Sequence, residues 1–210
     1  MDKEKNKMSV VVAIKENGKV TIGADSQCTR GGTRRTLSNP NNYKVWKVLD
    51  AENCLIAHVG LVREANIIRV ARDLVPEMAQ LKDKVDFSFA VKRLVPRMFE
   101  ELEEYRAIKK GDNPPEFESS FLFAYKDKLF YISGNATVIE IDDYVAIGSG
   151  ECEAIGSLLS TEGEACEDRI KKAIKASAAS DIYVDYPIVI TDTESCEFKV
   201  FYEKDLQNNK

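Results

Sequence analysis

The sequence is poor in the residues that build metal centres and disulfide frameworks. It has one histidine, His58, one tryptophan, Trp46, and five cysteines (Cys28, Cys54, Cys152, Cys166, Cys196) with no Cys-x-x-Cys pair. No metal site is expected from such a set, and an odd number of irregularly spaced cysteines reads as free thiols, mostly buried as small apolar groups. Long apolar runs are also missing: none approaches the roughly 18 residues that a bilayer crossing requires, so no membrane segment is expected. Positive charge is not in excess, because 30 Lys and Arg stand against 35 Asp and Glu for a net charge of -5. That balance leaves no electrostatic footprint for nucleic acid. There is no Gly-x-x-x-x-Gly-Lys-Ser/Thr loop to cradle a nucleotide, and no cofactor is expected. The charged opening, residues 1–7, lacks the apolar middle of a signal peptide, and a cytoplasmic location is the expectation.

What is present is a chain of 210 residues, 44% hydrophobic and 31% charged, suited to one compact domain. Residues 9–15 and 19–24 are apolar and β-branched around Asn17-Gly18, a strong hairpin signal. Residues 29–42 are polar and turn-rich and read as a loop; residues 43–49 and 54–59 read as two further strands, making four before any helix. From Ile67 to Met78, and again from Phe89 to Leu102, apolar spacing switches to the helical period and predicts two long helices in tandem. A loop is expected over residues 109–116, and strands over 119–125, 129–133, 136–141 and 144–147. Gly148-Ser149-Gly150 then leads into a helix reaching Leu159, a fourth helix covers 165–180, strands 187–191 and 196–202 form a last hairpin, and residues 207–210 are expected to fray. Strands arriving in runs pair antiparallel, and helices arriving in pairs can cover one sheet face each. The expected fold is therefore α+β, a four-layer αββα sandwich of two packed antiparallel sheets between helix layers.

Several segments resemble one family in the same order along the chain. The stretch from Ser9 through Asp25 to Thr29 resembles the opening of proteasome β subunits and of the peptidase of the bacterial two-component ATP-dependent protease, N-terminal-nucleophile hydrolases whose mature chains begin with threonine. The similarity continues through Lys44 in Tyr-Lys-Val-Trp-Lys-Val, through Ala57-His58-Val59-Gly60 and through Ala146-Ile147-Gly148-Ser149-Gly150, and spans most of residues 9–202. The resemblance implies a leader over residues 1–8, a peptidase domain over 9–203 and a tail over 204–210. It implies Ser9 as nucleophile, Asp25 and Lys44 as the acid and base around it, Ser149 as a hydroxyl near the terminal amine, and Gly60 as the oxyanion donor. Thr29 stands where substrate backbone pairs, and His58 and Val62 where the pocket for the substrate side chain is lined. Implied partners are a peptide or unfolded protein substrate, a ring-forming homo-oligomer and a separate ATPase.

The chemistry explains why those residue types belong together. A hydroxyl is a poor nucleophile at neutral pH and needs a base; an α-amine, which ordinarily titrates at about 7.7 to 8.0, loses its proton where such a base works. A neighbouring ammonium lowers the hydroxyl pKa and a carboxylate keeps that ammonium charged and placed. The chain departs from the family in three ways. Serine replaces threonine, losing the methyl that restricts the rotamer. Eight residues precede Ser9, and while they remain its nitrogen is an amide; Met8-Ser9 suits either trimming of methionine or self-cleavage. Beyond the fourth helix, where the family commonly has a carboxylate and a hydroxyl, the chain reads Ser-Asp-Ile-Tyr-Val-Asp-Tyr, so Asp181 or Asp185 could supply the carboxylate. Two other functions fit the same fold: an inactive scaffold subunit whose site is blocked by a retained leader, and an amidase or transpeptidase using the same acyl-enzyme chemistry.

Overall fold

The computed structural model describes residues 8–108 and 116–206. Two five-stranded antiparallel sheets pack face to face. The first, in the order β10-β1-β2-β11-β12, contains β1 (Val10–Glu16), β2 (Lys19–Ala24), β10 (Tyr144–Gly148), β11 (Ile188–Asp192) and β12 (Lys199–Phe201). The second, in the order β5-β6-β7-β8-β9, contains β5 (Val45–Lys47), β6 (Cys54–Val59), β7 (Ser120–Tyr125), β8 (Lys128–Ile132) and β9 (Val138–Ile141). Helices α5 (Glu151–Ser160) and α6 (Cys166–Ser180) cover the first sheet, and α1 (Val62–Val70) leads the helices over the second. The α+β, four-layer expectation matches this architecture.

Strand side chains alternate between layers with the period of two that a pleated strand imposes. In β1, Val11 and Ala13 face the inter-sheet core while Val10, Val12 and Ile14 face α5 and α6. In β6 and β7, Leu55, Ala57, Val59, Leu122 and Ala124 point between the sheets, and Cys54, Ile56, Phe121, Phe123 and Tyr125 point to the helices. Central strands thus bury both faces, which is why they read as near-continuous apolar runs rather than alternating ones. The first sheet also needs a gap for its helix. A Cβ on Gly23 would lie 2.2 Å from the Ile170 side chain, so only glycine lets α6 settle this closely onto β2.

Three expectations are corrected. Residues 29–42 are not an irregular loop: β3 (Gln27–Arg30) and β4 (Thr33–Thr36) form a separate hairpin, followed by a 3₁₀ turn at Pro40–Asn42, so six strands precede the first α-helix. Polar composition concealed the hairpin because β4 buries neither face. The first long helix ends at Val70. Asp73 adopts φ 59° and Pro76 disfavours helical backbone at Val75, so the chain turns before the short α2 (Glu77–Leu81). Leu74 and Val75 are nevertheless buried, and their spacing reported burial rather than helix. The second helix does run as expected, from α3 (Phe87–Phe89) through a π-type segment (Ala90–Leu94) into α4 (Val95–Glu104). Of the five thiols only Cys54 is buried; Cys28, Cys166 and Cys196 are half-buried and Cys152 is exposed. The expected loop at 109–115, residues 1–7 of the expected leader and the expected frayed end at 207–210 lie outside the described residues. No helix among the described residues is long and apolar enough to cross a membrane.

Leu122 is fully buried in the inter-sheet core. Leu122→Ala removes methylenes both sheets share, and urea denaturation is expected to register a loss of about 2–5 kcal/mol.

Candidate active site

The site begins one residue before β1. The β1–β10 register pairs Val10 with Gly148, which sets Ser9 beside Ser149. The Ser9 amide donates to Ser149 Oγ at 3.1 Å, and that hydroxyl donates back to the Ser9 carbonyl at 3.3 Å, where the Gly150 amide also arrives at 3.3 Å. This closeness requires glycine at 148, whose φ is 110° and whose hypothetical Cβ would lie 2.2 Å from the Ser9 carbonyl oxygen. Ser177 on α6 supports the turn from beneath, donating to the Gly150 carbonyl at 2.7 Å.

Asp25 comes from the end of β2. The β1–β2 register pairs Val11 with Ala24, so Asp25 falls beside Val10: its amide donates to the Val10 carbonyl at 3.2 Å, and its Oδ1 accepts the Val10 amide at 2.9 Å. Oδ2 accepts the amides of Gln27 at 2.9 Å and Asp185 at 3.4 Å. Three main-chain donors thus hold one carboxylate still.

Lys44 arrives from the other sheet, immediately before β5. Its Nζ donates to Ser9 Oγ and to Asp25 Oδ1, each at 2.6 Å, and both charged side chains are almost fully buried. Burial pulls the Lys44 ammonium below its usual range, while the Asp25 carboxylate, and more weakly that of Asp181, hold it up. A hydroxyl, an ammonium and a carboxylate therefore share a dry space, the environment in which a fixed charge acts most strongly on a neighbouring oxygen.

The remaining sequence-derived candidates surround this cluster. Gly60 has φ 119° and follows Val59, whose side chain lies 3.2 Å from the Gly148 Cβ position; a Cβ on Gly60 itself would meet Ser119 Cα at 2.7 Å. Thr29 sits half-buried on β3, where its hydroxyl accepts from the Gln27 amide side chain at 2.9 Å. Among the described residues β3 pairs only with β4, which leaves its other edge open. His58 is buried on β6 with its ring edge-on to Trp46, and burial, with Lys44 and Arg69 nearby, draws its pKa down to about 3. Val62 opens α1 and is partly exposed.

The two open carboxylate candidates separate clearly. Asp185 is engaged by Arg34 at 3.1 Å and contributes its main chain to the cluster, whereas Asp181 keeps Oδ2 buried without a partner while its charge bears on Lys44. Ser177 and Gln27 had no sequence signal: each is a polar residue amid many, distinguished only by the backbone group it reaches. Gln27 ties the hairpin to the Ile182 carbonyl at 2.8 Å.

Removing one member of a buried ion pair strands the other, at a cost of about 3–5 kcal/mol. Asp25→Ala is therefore expected to lower thermal stability by about that amount, and the double replacement Asp25→Ala with Lys44→Met to recover most of it. Gly148→Ala adds a side chain at positive φ into the Ser9 carbonyl; differential scanning calorimetry is expected to show a loss of at least ~2 kcal/mol.

Comparison with known proteins agrees with the fold. The proteasome subunit family matches residues 6–191. ATP-dependent protease subunit HslV of Lactobacillus leichmannii is 25% identical over 194 residues, covering 89% of this chain and 99% of that protein. HslV of Cytophaga hutchinsonii is 26% identical, covering 89% and 97%. Among solved structures, Anbu (ancestral beta-subunit) from Yersinia bercovieri superposes with a TM-score of 0.69 at 15% identity, covering 94% of this chain and 89% of that one. Thiobacillus denitrificans BPH in complex with epoxomicin gives 0.66 at 19%, covering 87% and 97%. A match over so much of the chain, on an αββα sandwich, identifies this protein as a member of the proteasome subunit family.

Proposed function

We propose that the protein is a peptidase that hydrolyses peptide bonds with Ser9 as an N-terminal nucleophile. The observation that carries this reading is the single ammonium of Lys44, buried and 2.6 Å from both Ser9 Oγ and Asp25 Oδ1. With residues 1–8 removed as a leader, the Ser9 nitrogen becomes a free amine already 3.1 Å from Ser149 Oγ. That amine takes the proton of Oγ, Oγ attacks the substrate carbonyl, and the Lys44 ammonium stabilises negative charge on the hydroxyl oxygen as it forms. The amide of Gly60 serves as oxyanion donor, the protonated amine then delivers its proton to the leaving amine, and water hydrolyses the acyl-enzyme. Asp25 keeps Lys44 charged and positioned, Asp181 adds a second negative charge on that side, and the open edge of β3 at Thr29 receives substrate backbone as an added strand. His58 and Val62 line the pocket for a substrate side chain.

Backbone strain supports removal of the leader. Ser9 has φ 125°, an uncommon value for a residue other than glycine. That torsion is defined by the carbonyl of Met8, so it ceases to exist once Ser9 is the first residue. The chain 9–203 is the working domain, with 204–210 a tail. The reading further includes a ring-forming homo-oligomer in the cytoplasm, peptide or unfolded protein as substrate, and a separate ATPase; the name ATP-dependent protease subunit carried by the curated relatives supports the last.

Intact mass and N-terminal sequencing of untagged protein test the reading directly. A chain starting at Ser9 that cleaves peptides, with Ser9→Ala reduced by more than about 1,000-fold, is the expected result; a chain that keeps its leader and cleaves nothing leaves a scaffold subunit. The pH profile gives a second check. Activity is expected to rise as the α-amine loses its proton near its ordinary range of about 7.7–8.0. It then falls as Lys44 loses its own proton below the usual 10.5. His58, neutral throughout, adds no limb near 6.5.

A further inference from the structure

On α1, Val62 and Arg69 stand seven residues apart and share one face. Arg69 stands near His58, which the proposed function assigns with Val62 to the side-chain pocket, and its charge bears on the His58 ring. Its guanidinium carbon is 4.4 Å from the centre of the Trp46 ring, which lies 5.7 Å from the His58 ring with the two planes at 61°. The His58 amide in turn donates to the Lys44 carbonyl at 2.9 Å, so three contacts link Arg69 to the residue that touches Ser9 Oγ.

Arg69 as a whole is half-buried, and its Nε is buried. Its NH2 group donates to the Tyr43 carbonyl and its NH1 to that of Pro40 at 3.5 Å, but among the described residues no carboxylate pairs with it. Among the described residues the buried Nε has no hydrogen-bond partner, and neither do the neighbouring nitrogens Trp46 Nε1 and His58 Nδ1. A guanidinium that gives up water normally gains a carboxylate in a two-pronged pair. Scarcity does not explain the omission, since the chain carries 35 acidic residues. The cost of the omission is visible in Arg69 itself, whose pKa burial draws down to about 10.

We propose that Arg69 is a specificity-determining residue that selects substrates with an aspartate or glutamate side chain next to the cleaved bond, the carboxylate passing between Val62 and His58 to meet the guanidinium. The proposal rests on the reading of His58 and Val62 as pocket-lining residues. The missing anion then comes with the substrate, and substrates with a neutral side chain leave the guanidinium unpaired.

The test uses peptides identical except for Glu, Gln or Leu at that position, with the protein starting at Ser9. Binding is measured by calorimetry on the Ser9→Ala variant and cleavage by mass spectrometry on the unmodified protein. A charge-assisted pair predicts that the Glu peptide binds about tenfold more tightly than the Gln peptide. Arg69→Met, which keeps a side chain over Trp46, is expected to bring that ratio to about one in a variant that circular dichroism shows to be folded, and Arg69→Glu to transfer the preference to a Lys peptide. Equal binding of Glu and Gln peptides to Ser9→Ala overturns the proposal without recourse to any Arg69 variant, as does a ratio that survives Arg69→Met. Cleavage after Leu without preference for Glu leaves the peptidase reading standing and removes the acidic selectivity. Arg69-dependent binding of the Glu peptide with no cleavage by the unmodified protein does the reverse.

Discussion

The buried contact between Lys44 and Asp25 is the constraint around which the rest of the site is arranged. The lysine precedes an edge strand of one sheet and the aspartate ends a central strand of the other, so their 2.6 Å contact joins the two halves of the sandwich at one end. Burying two charges is costly unless the geometry is good and remaining lone pairs are used. Here Asp25 accepts three main-chain amides besides the ammonium, and Lys44 gives a second hydrogen bond to Ser9 Oγ. Such a pair adds little to stability compared with an apolar core, but it fixes where a positive charge sits in a dry space.

Glycines and short polar residues make that arrangement sterically possible. Gly148 lets the Ser9 carbonyl pass where any Cβ would collide, and Gly150 leaves room for Ser177 beneath the start of α5. The Ser9 carbonyl is then held by Ser149 Oγ and the Gly150 amide, so the residue before β1 is anchored through its backbone while its side chain remains with Lys44. Precision at the hydroxyl therefore depends on β10 and α5 as much as on β1. Beyond this cluster, the Arg69–Trp46–His58 stack extends from the same lysine toward α1. It connects the placement of the proposed nucleophile to the chemistry of the proposed side-chain pocket.

How much of this could be read in advance follows from what each signal measures. The central strands of the two sheets were legible because they bury both faces and carry β-branched runs cut by turns such as Asn17-Gly18. The β3–β4 hairpin escaped because Thr33 to Thr36 are all exposed and no apolar pattern marks them. The apolar spacing from Ile67 to Met78 suggested helix where Leu74 and Val75 enter the core from a turn, since periodicity reports which residues are buried and not the backbone that delivers them.

By itself the sequence determined the layered α+β fold, and through its ordered resemblance it singled out Ser9, Asp25, Lys44 and Ser149 as a set. Local spacing is sufficient for the first, and the types of the residues for the second. Only the tertiary structure decided that Lys44 crosses between sheets to reach both Ser9 and Asp25 and that, among the described residues, Asp181 rather than Asp185 keeps an unpaired carboxylate oxygen and Arg69 stands over Trp46 without an acid. Those are contacts between residues far apart along the chain, created by strand register and helix packing. No single segment carries the information that specifies them.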